Sequence, residues 1–293
     1  MNPAYIGYNE VMNGLKTFLL LSILTALFMF VGSLVGGRNG MWIGLAIAGI
    51  SNFVTYFFSD KMVLSQYNAK EVTQAQQPHL HVMVQRLATK AGIPMPKVYI
   101  IDMPTPNAFA TGRDPSHAAI AVSPSIMQLM SEEELTGVLA HELGHVKNRD
   151  ILISTMAATV AGALSYIAHL ASFGSFRRGN DSSDRGGNPL SLLFIIVITP
   201  LIGTLLHMAI SRQREYAADE YSARLTRNPR AMASALAILG GIAQKHPLEG
   251  TSIQESSAHL FIINPFEASF IRSLFSTHPP LAERIARLKE MKI

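Results

Sequence analysis

The sequence predicts a mainly α-helical membrane protein with four transmembrane helices and a small β-sheet in its polar part. Three observations predict it. Charge is absent from four long blocks, the charged regions alternate helical periodicity with short strand-like runs, and one helix carries two histidines four residues apart. Composition agrees: of 293 residues only 15% are charged and 48% are hydrophobic, against about 25% charged in an average soluble domain. A disordered chain would be polar and charge-rich, so that class is excluded. There is no cysteine, which excludes a disulfide-stapled module and a thiolate metal site. A net charge of +4 without any Lys/Arg run speaks against nucleic acid as a partner and fits the basic loops of a membrane protein.

The uncharged blocks are residues 17–37, 39–59, 151–176 and 186–211, each longer than the ~20 residues that cross a bilayer. The first two are joined through Gly36–Gly40 by a tight hairpin around Arg38. The third carries Ser154, Thr155, Thr159, Ser165 and His169 among alanines and glycines, a pattern of close helix–helix approach. Its alternative is a buried helix of a soluble domain. The fourth is strongly apolar, with a kink expected at Pro200. No small-residue cleavage site follows the first block, so the N-terminal hairpin reads as a retained anchor rather than a signal peptide. The organisation is then a transmembrane hairpin (1–59), a polar part with the small sheet (60–150), a second hairpin (151–211) with a polar loop at 177–189, and a helical polar part (212–293). Two spans separate the polar parts, so parity puts both on one side. More lysine and arginine flanks the spans there (Lys16, Lys61, Lys70, Lys147, Arg149, Arg212, Arg214, Arg224, Arg227) than opposite (Arg38, Arg177, Arg178, Arg185). The positive-inside rule makes that side the cytoplasm.

Within 60–150, the spacing of Leu80, Val84, Leu87 and Ala91 predicts a helix over 78–91, stopped by Gly92, Pro94 and Pro96. Runs at 98–101, 108–110 and 119–122 read as short strands. Ser131 and Glu134 form a capping box that opens the next helix. Inside that helix lie His141, Glu142 and His145. Histidines at i and i+4 share a face and can share one divalent ion, while the glutamate between them reaches a water without ligating. This is a zinc-hydrolase arrangement: the ion lowers the pKa of water toward about 7 and the carboxylate takes the proton. A third ligand is required. Glu215 is the candidate, with Asp219 one turn on to orient a ligating histidine. An exposed acid pair on an amphipathic helix is the alternative for these two.

His141-Glu142-Leu143-Gly144-His145, Glu215-Tyr216-Ala217-Ala218-Asp219, Thr277-His278-Pro279-Pro280-Leu281 with Arg284, and Asn107-Ala108-Phe109-Ala110-Thr111-Gly112 occur in this order. Together they resemble the HtpX family of bacterial membrane zinc metallopeptidases, related to the Ste24-type prenyl-protein proteases. The resemblance implies a cytosolic zincin-like metallopeptidase domain and a multi-pass protein of the bacterial inner membrane with a cytoplasmic active site. It implies one Zn2+ per chain held by His141, His145 and Glu215, with Glu142 as general base. It implies an oxyanion-stabilising role for His278, which alternatively only starts the last helix, and an assisting or structural role for Arg284. It makes Asn107, Ala108, Phe109 and Ala110 the edge on which substrate is laid as an added strand. The implied activity is endoproteolysis of misfolded membrane proteins and unfolded proteins in stress and quality control, with the lipid bilayer and other quality-control proteases as partners. Two alternatives stay open: a Ste24-like processing protease of a lipidated peptide, and a non-catalytic receptor or scaffold with structural zinc.

His145 lies just before the third block and Glu215 just after the fourth. The metal is therefore expected close to the membrane surface. No proline falls between Glu132 and Asn188, so the histidine helix is expected to run straight into span three.

Overall fold

The computed structural model describes residues 3–157, 159–160, 212–245, 261–262 and 279–293. Helix α1 covers Pro3–Gln66 and reverses at Gly36 and Gly37, where the backbone leaves helical values and Gly37 takes φ 57°. Glycine adopts that conformation without the Cβ penalty other residues suffer. The two arms, Gly14–Ser33 and Gly36–Gln66, are long and apolar enough to cross a membrane. They pack back to back: a Cβ on Gly44 would strike the Phe28 carbonyl, and Asn52 Nδ2 donates to Thr25 Oγ1 at 2.9 Å. The predicted hairpin is thus present. Large apolar side chains such as Phe18, Ile43, Ile50 and Phe53 stay exposed on its outside.

A four-stranded sheet follows, ordered β1-β2-β4-β3. Strands β1 (Lys70–Glu71) and β2 (Lys97–Ile100) are antiparallel, β2 and β4 (Ala118–Val122) parallel, and β3 (Ala108–Gly112) antiparallel to β4 with Phe109 opposite Ala121. Helix α2 (Pro78–Ala91) closes on Gly92 in the left-handed conformation and buries Leu80, Val84, Leu87 and Ala91, the predicted face. Short α3 (Pro124–Leu129) leads into α4 (Glu132–Lys147). Beyond the undescribed stretch come α5 (Arg212–Thr226), α6 (Pro229–Lys245) and α7 (Leu281–Glu290). The main core gathers α2, the sheet, α4 and α6 through Leu80, Val84, Ile120, Val138, Leu139 and Met232. Each such side chain contributes ~1.5–3 kcal/mol on burial.

Helix α4 does not run on into the third block. It stops at Asn148, Arg149 takes φ 58°, and helix resumes at 151. The reversal is held by Asp150 N–H donating to the His145 carbonyl at 3.0 Å. No proline is needed, because a left-handed residue ends a helix as well. The restarted segment packs Ile153, Met156 and Val160 against Leu20 and Leu24 of α1. Most of the third block and all of the fourth lie outside the described residues.

The capping box forms as predicted. Glu134 N–H donates to Ser131 Oγ at 3.3 Å, and Ser131 N–H donates to Glu134 Oε2 at 2.9 Å. Ser234 of α6 donates to Glu134 Oε1 at 2.6 Å. The Ser234 bond above all holds this carboxyl below its ordinary 4.5, with burial opposing it and the Ser131 bonds assisting. A depressed folded pKa contributes stability that is complete above the unfolded value and lost as pH falls through the folded one. Glu134→Gln is therefore expected to melt below wild type near neutral pH, with the gap closing in acid. Circular-dichroism melts in detergent read this, and a gap widening in acid would contradict it.

Candidate metal centre

Helix α4 turns His141, Glu142 and His145 inward, and the chain brings α5 directly against it. Glycine allows the approach: a Cβ on Gly144 would lie 3.3 Å from Ala218 Cα and 3.2 Å from Tyr221 Cδ1. Two turns back along the same face of α4, Ser222 Oγ donates to the Gly137 carbonyl at 2.6 Å. At this crossing Glu215 faces both histidines. His141 Nε2 and His145 Nε2 are 3.3 Å apart. Glu215 Oε2 is 3.7 Å from His141 Nε2, and Oε1 is 3.6 Å from His145 Nε2. His141 is 1% exposed. Among the described residues these three groups converge, with ligand atoms all within 4.8 Å of one another.

The donor set fits zinc. Two nitrogens on a tetrahedral ion at ~2.0–2.1 Å stand about 3.3 Å from each other, which is the imidazole separation here. Two imidazoles and a carboxylate are also the ligand types of catalytic zinc.

Each imidazole has an aspartate at its other nitrogen. Asp219 Oδ1 is 3.0 Å from His141 Nδ1, in ion-pair range though off the line of a good hydrogen bond. Asp150 Oδ2 is 3.3 Å from His145 Nδ1 in a hydrogen bond. Burial alone would lower the pKa of His145, but the Asp150 hydrogen bond and the Glu215 charge prevail and raise it to about 9. Beneath them lies Arg284 of α7, 1% exposed. It donates from Nε and Nη2 to the two Asp219 oxygens at 2.7 and 2.8 Å, and its Nη1 lies 3.2 Å from Glu215 Oε2. Burial would raise Asp219, yet the guanidinium holds its carboxyl below the usual range.

Glu142 points the other way, toward the sheet. It is buried, and its Oε2 accepts from Ala110 N–H at 2.9 Å. Burial pushes its carboxyl above the ordinary 4.5, outweighing the nearby histidines. Among the described residues β3 is the outermost strand of the sheet, and all five of its residues are buried. Asn107, just before β3, pairs with Ser123, just after β4: its carbonyl accepts from Ser123 N–H and its own N–H donates to Ser123 Oγ, both at 2.9 Å. By antiparallel alternation Phe109 and Thr111 also bond β4, so Ala108, Ala110 and Gly112 aim their backbone groups off the edge.

The structure thus brings together His141, His145, Glu215, Asp219, Arg284, Glu142 and Ala110. Ala108 is buried on the same edge, Phe109 is packed on Tyr67, and Asn107 is turned inward, its Oδ1 accepting from Ile262 N–H at 3.4 Å. His278 lies outside the described residues. Asp150 escaped the sequence reading. Its only signal was a carboxylate just past the second histidine, before the chain turns apolar.

The model of peptidase family M48 matches residues 74–292. A protein named Protease HtpX homolog from Sulfurihydrogenibium sp. (strain YO3AOP1) is 49% identical, covering 95% of this chain and 96% of the relative. One of the same name from Thermodesulfovibrio yellowstonii is 50% identical, covering 96% and 99%. Among solved structures, the crystal structure of S. mikatae Ste24p is similar with a TM-score of 0.51 at 18% identity, over 96% of this chain and 66% of that one. At that identity the likeness is one of fold.

Two outcomes follow from the packing. Gly144→Ala is expected to cost about 1–3 kcal/mol by forcing α4 off α5 and to weaken metal binding, read by thermal melts and by competition with a chromogenic chelator. Arg284→Met leaves Asp219 charged and buried without its partner, at a cost of about 3–5 kcal/mol. Adding Asp219→Asn should recover part of that loss, so the double variant melts above the sum of the singles; strict additivity would deny the coupling.

Proposed function

This chain belongs to peptidase family M48 and is a metallopeptidase, and from that premise we propose that it is a zinc-dependent endopeptidase of the bacterial inner membrane that cuts cytosolic segments of misfolded or damaged membrane proteins. One observation carries the reading: two imidazole nitrogens 3.3 Å apart face a carboxylate from another helix. His141, His145 and Glu215 hold the zinc. When bound, the ion supplies Lewis acidity to water and to a peptide carbonyl.

The chain's own residues do the rest. Glu142, raised by burial, takes a proton from water at its carboxylate and passes it to the leaving amine. Asp219 and Asp150 keep each imidazole turned so that its Nε2 faces the metal. Arg284 keeps Asp219 ionised and keeps both Asp219 and Glu215 aimed. Substrate adds to the outer edge of β3, where the Ala108 backbone groups and the Ala110 carbonyl supply ladder hydrogen bonds. Ala110 N–H, engaged by Glu142 in the free protein, joins that edge to the base. His278 remains our candidate for stabilising the oxyanion.

The membrane placement is supported by the two apolar arms of α1 with their exposed outer face. It is supported too by the third block, whose described start packs against α1. Four spans with both polar parts in the cytoplasm remain the arrangement that parity and loop charge favour. The centre then sits near the bilayer, because Asp150 is a direct neighbour of His145 and the apolar block starts at Ile151.

Glu142→Gln is expected to bind one zinc per chain with wild-type affinity and to lose about 10²–10⁴-fold in casein cleavage. Metal analysis of the detergent-purified protein and a proteolysis assay before and after chelation read both. Full cleavage by the zinc-loaded variant would remove Glu142 from the base role. Chelation without effect on the wild type would remove the metal from the reaction.

A further inference from the structure

The turn that leaves the edge strand meets the foot of the second α1 arm and encloses a cavity of about 290 Å³. Its lining divides by chemistry. Phe53, Tyr56, Phe57 and Phe58 come from the end of the uncharged block 39–59, whereas Asp60 and Lys61 are the first charges after it. Arg113 and His117 close it from the turn. Phe53 is 58% and Phe57 42% exposed. The Arg113 guanidinium lies 5.6 Å from the Phe57 ring centre and Lys61 Nζ lies 5.3 Å from that of Phe58. Cations therefore stand at the level where apolar rings give way to charge, an arrangement suited to a lipid–water interface.

The turn is organised in advance. Arg113 Nη2 donates to His117 Nε2 at 2.8 Å, which leaves His117 Nδ1–H to donate to Asp114 at 2.9 Å. Asp114 Oδ1 also accepts from Ser116 and His117 N–H at 2.8 and 3.0 Å, and Arg113 Nε is 3.4 Å from Asp114 Oδ2. Gly112 at φ 133° permits the corner, since a Cβ there would strike the His117 carbonyl. Asp114 is thus spent on shaping the turn, while Arg113 Nη1 has no partner among the described residues and Lys61 lies over an exposed ring.

We propose that this cavity holds the interfacial part of one membrane phospholipid, its phosphodiester between Lys61 and Arg113 and its first methylenes along Phe53 and Phe57. The inference rests on the membrane placement proposed above. A free phosphate would use the cations and leave the rings idle; a phospholipid uses both ends. The site has a consequence for proteolysis. Arg113 directly follows Gly112, the last residue of the strand whose Ala110 N–H reaches Glu142. A lipid on Arg113 therefore fixes the end of the substrate edge and couples cleavage to the bilayer.

The test uses the full chain, delipidated in detergent and loaded with zinc. Short-chain phosphatidylglycerol is titrated in, with glycerol 3-phosphate as the headgroup-only probe, and bound lipid is counted by native mass spectrometry. The wild type should retain one phospholipid per chain, bind glycerol 3-phosphate far more weakly, and cleave casein faster once lipid is bound. Lys61→Ala/Arg113→Ala should bind the lipid about tenfold more weakly and lose the stimulation while keeping the lipid-free rate and zinc content. Phe57→Ala, which leaves the cations in place, should weaken phospholipid but not glycerol 3-phosphate. Equal lipid binding by the double variant, or glycerol 3-phosphate binding as tightly as the phospholipid, would overturn the proposal. Membrane fractionation of cells expressing the wild type separates the two failures: a chain found in the soluble fraction defeats the membrane reading, whereas a membrane-bound chain with unchanged lipid retention defeats only the lipid site.

Discussion

Under the candidate metal centre, the Arg284 guanidinium lies across Asp219 and beside Glu215, shut off from water on every side. An arginine so placed is tolerable only because two carboxylates neutralise it, and those carboxylates are tolerable only because of the arginine. The mutual dependence joins α7 to α5. Because Glu215 and Asp219 are one turn apart on α5, it also fixes which face of α5 meets α4. His141 then finds Asp219 at one ring nitrogen and Glu215 at the other. The His141-His145-Glu215 triad is thus one end of a buried charge cluster, and its geometry is inherited from that cluster.

Close packing supplies the second half of the constraint. Leu143 faces the core while Gly144 faces α5, where only a hydrogen fits against Ala218 and Tyr221. The Leu-Gly pair between the histidines therefore has a structural purpose: one residue seats the helix and the other lets its partner approach. On the far side of α4 the Glu142 carboxylate is shared with a backbone amide of the sheet edge. Glu142, the His141-His145-Glu215 cluster and the edge strand are parts of one packed body, so moving any of them disturbs the others.

Several features were legible in the residues themselves. The capping box and helix α2 depend on contacts within a few residues, and both appear where the pattern put them. The hairpin of α1 follows from glycines between two uncharged blocks. The histidine pair follows from helical spacing. The break after α4 was not legible. Absence of proline permitted a continuous helix, but the left-handed Arg149 and the return of Asp150 onto His145 stop it. Asp150 went unseen for the same reason, because five residues along a straight helix would have carried it away from the His145 ring.

The sequence by itself determined the chemistry: which side chains can ligate, which can take a proton, and which blocks avoid water, since these depend on residue type and local spacing. Tertiary structure decided the rest. It set Glu215 opposite the histidines across a long interval of chain, paired Arg284 with Asp219 from the last helix, and made β3 the outermost strand among the described residues. The reason is physical. Spacing within a helix is fixed by its 3.6-residue turn, whereas the meeting of distant segments is settled by which burial arrangement satisfies every charge at once.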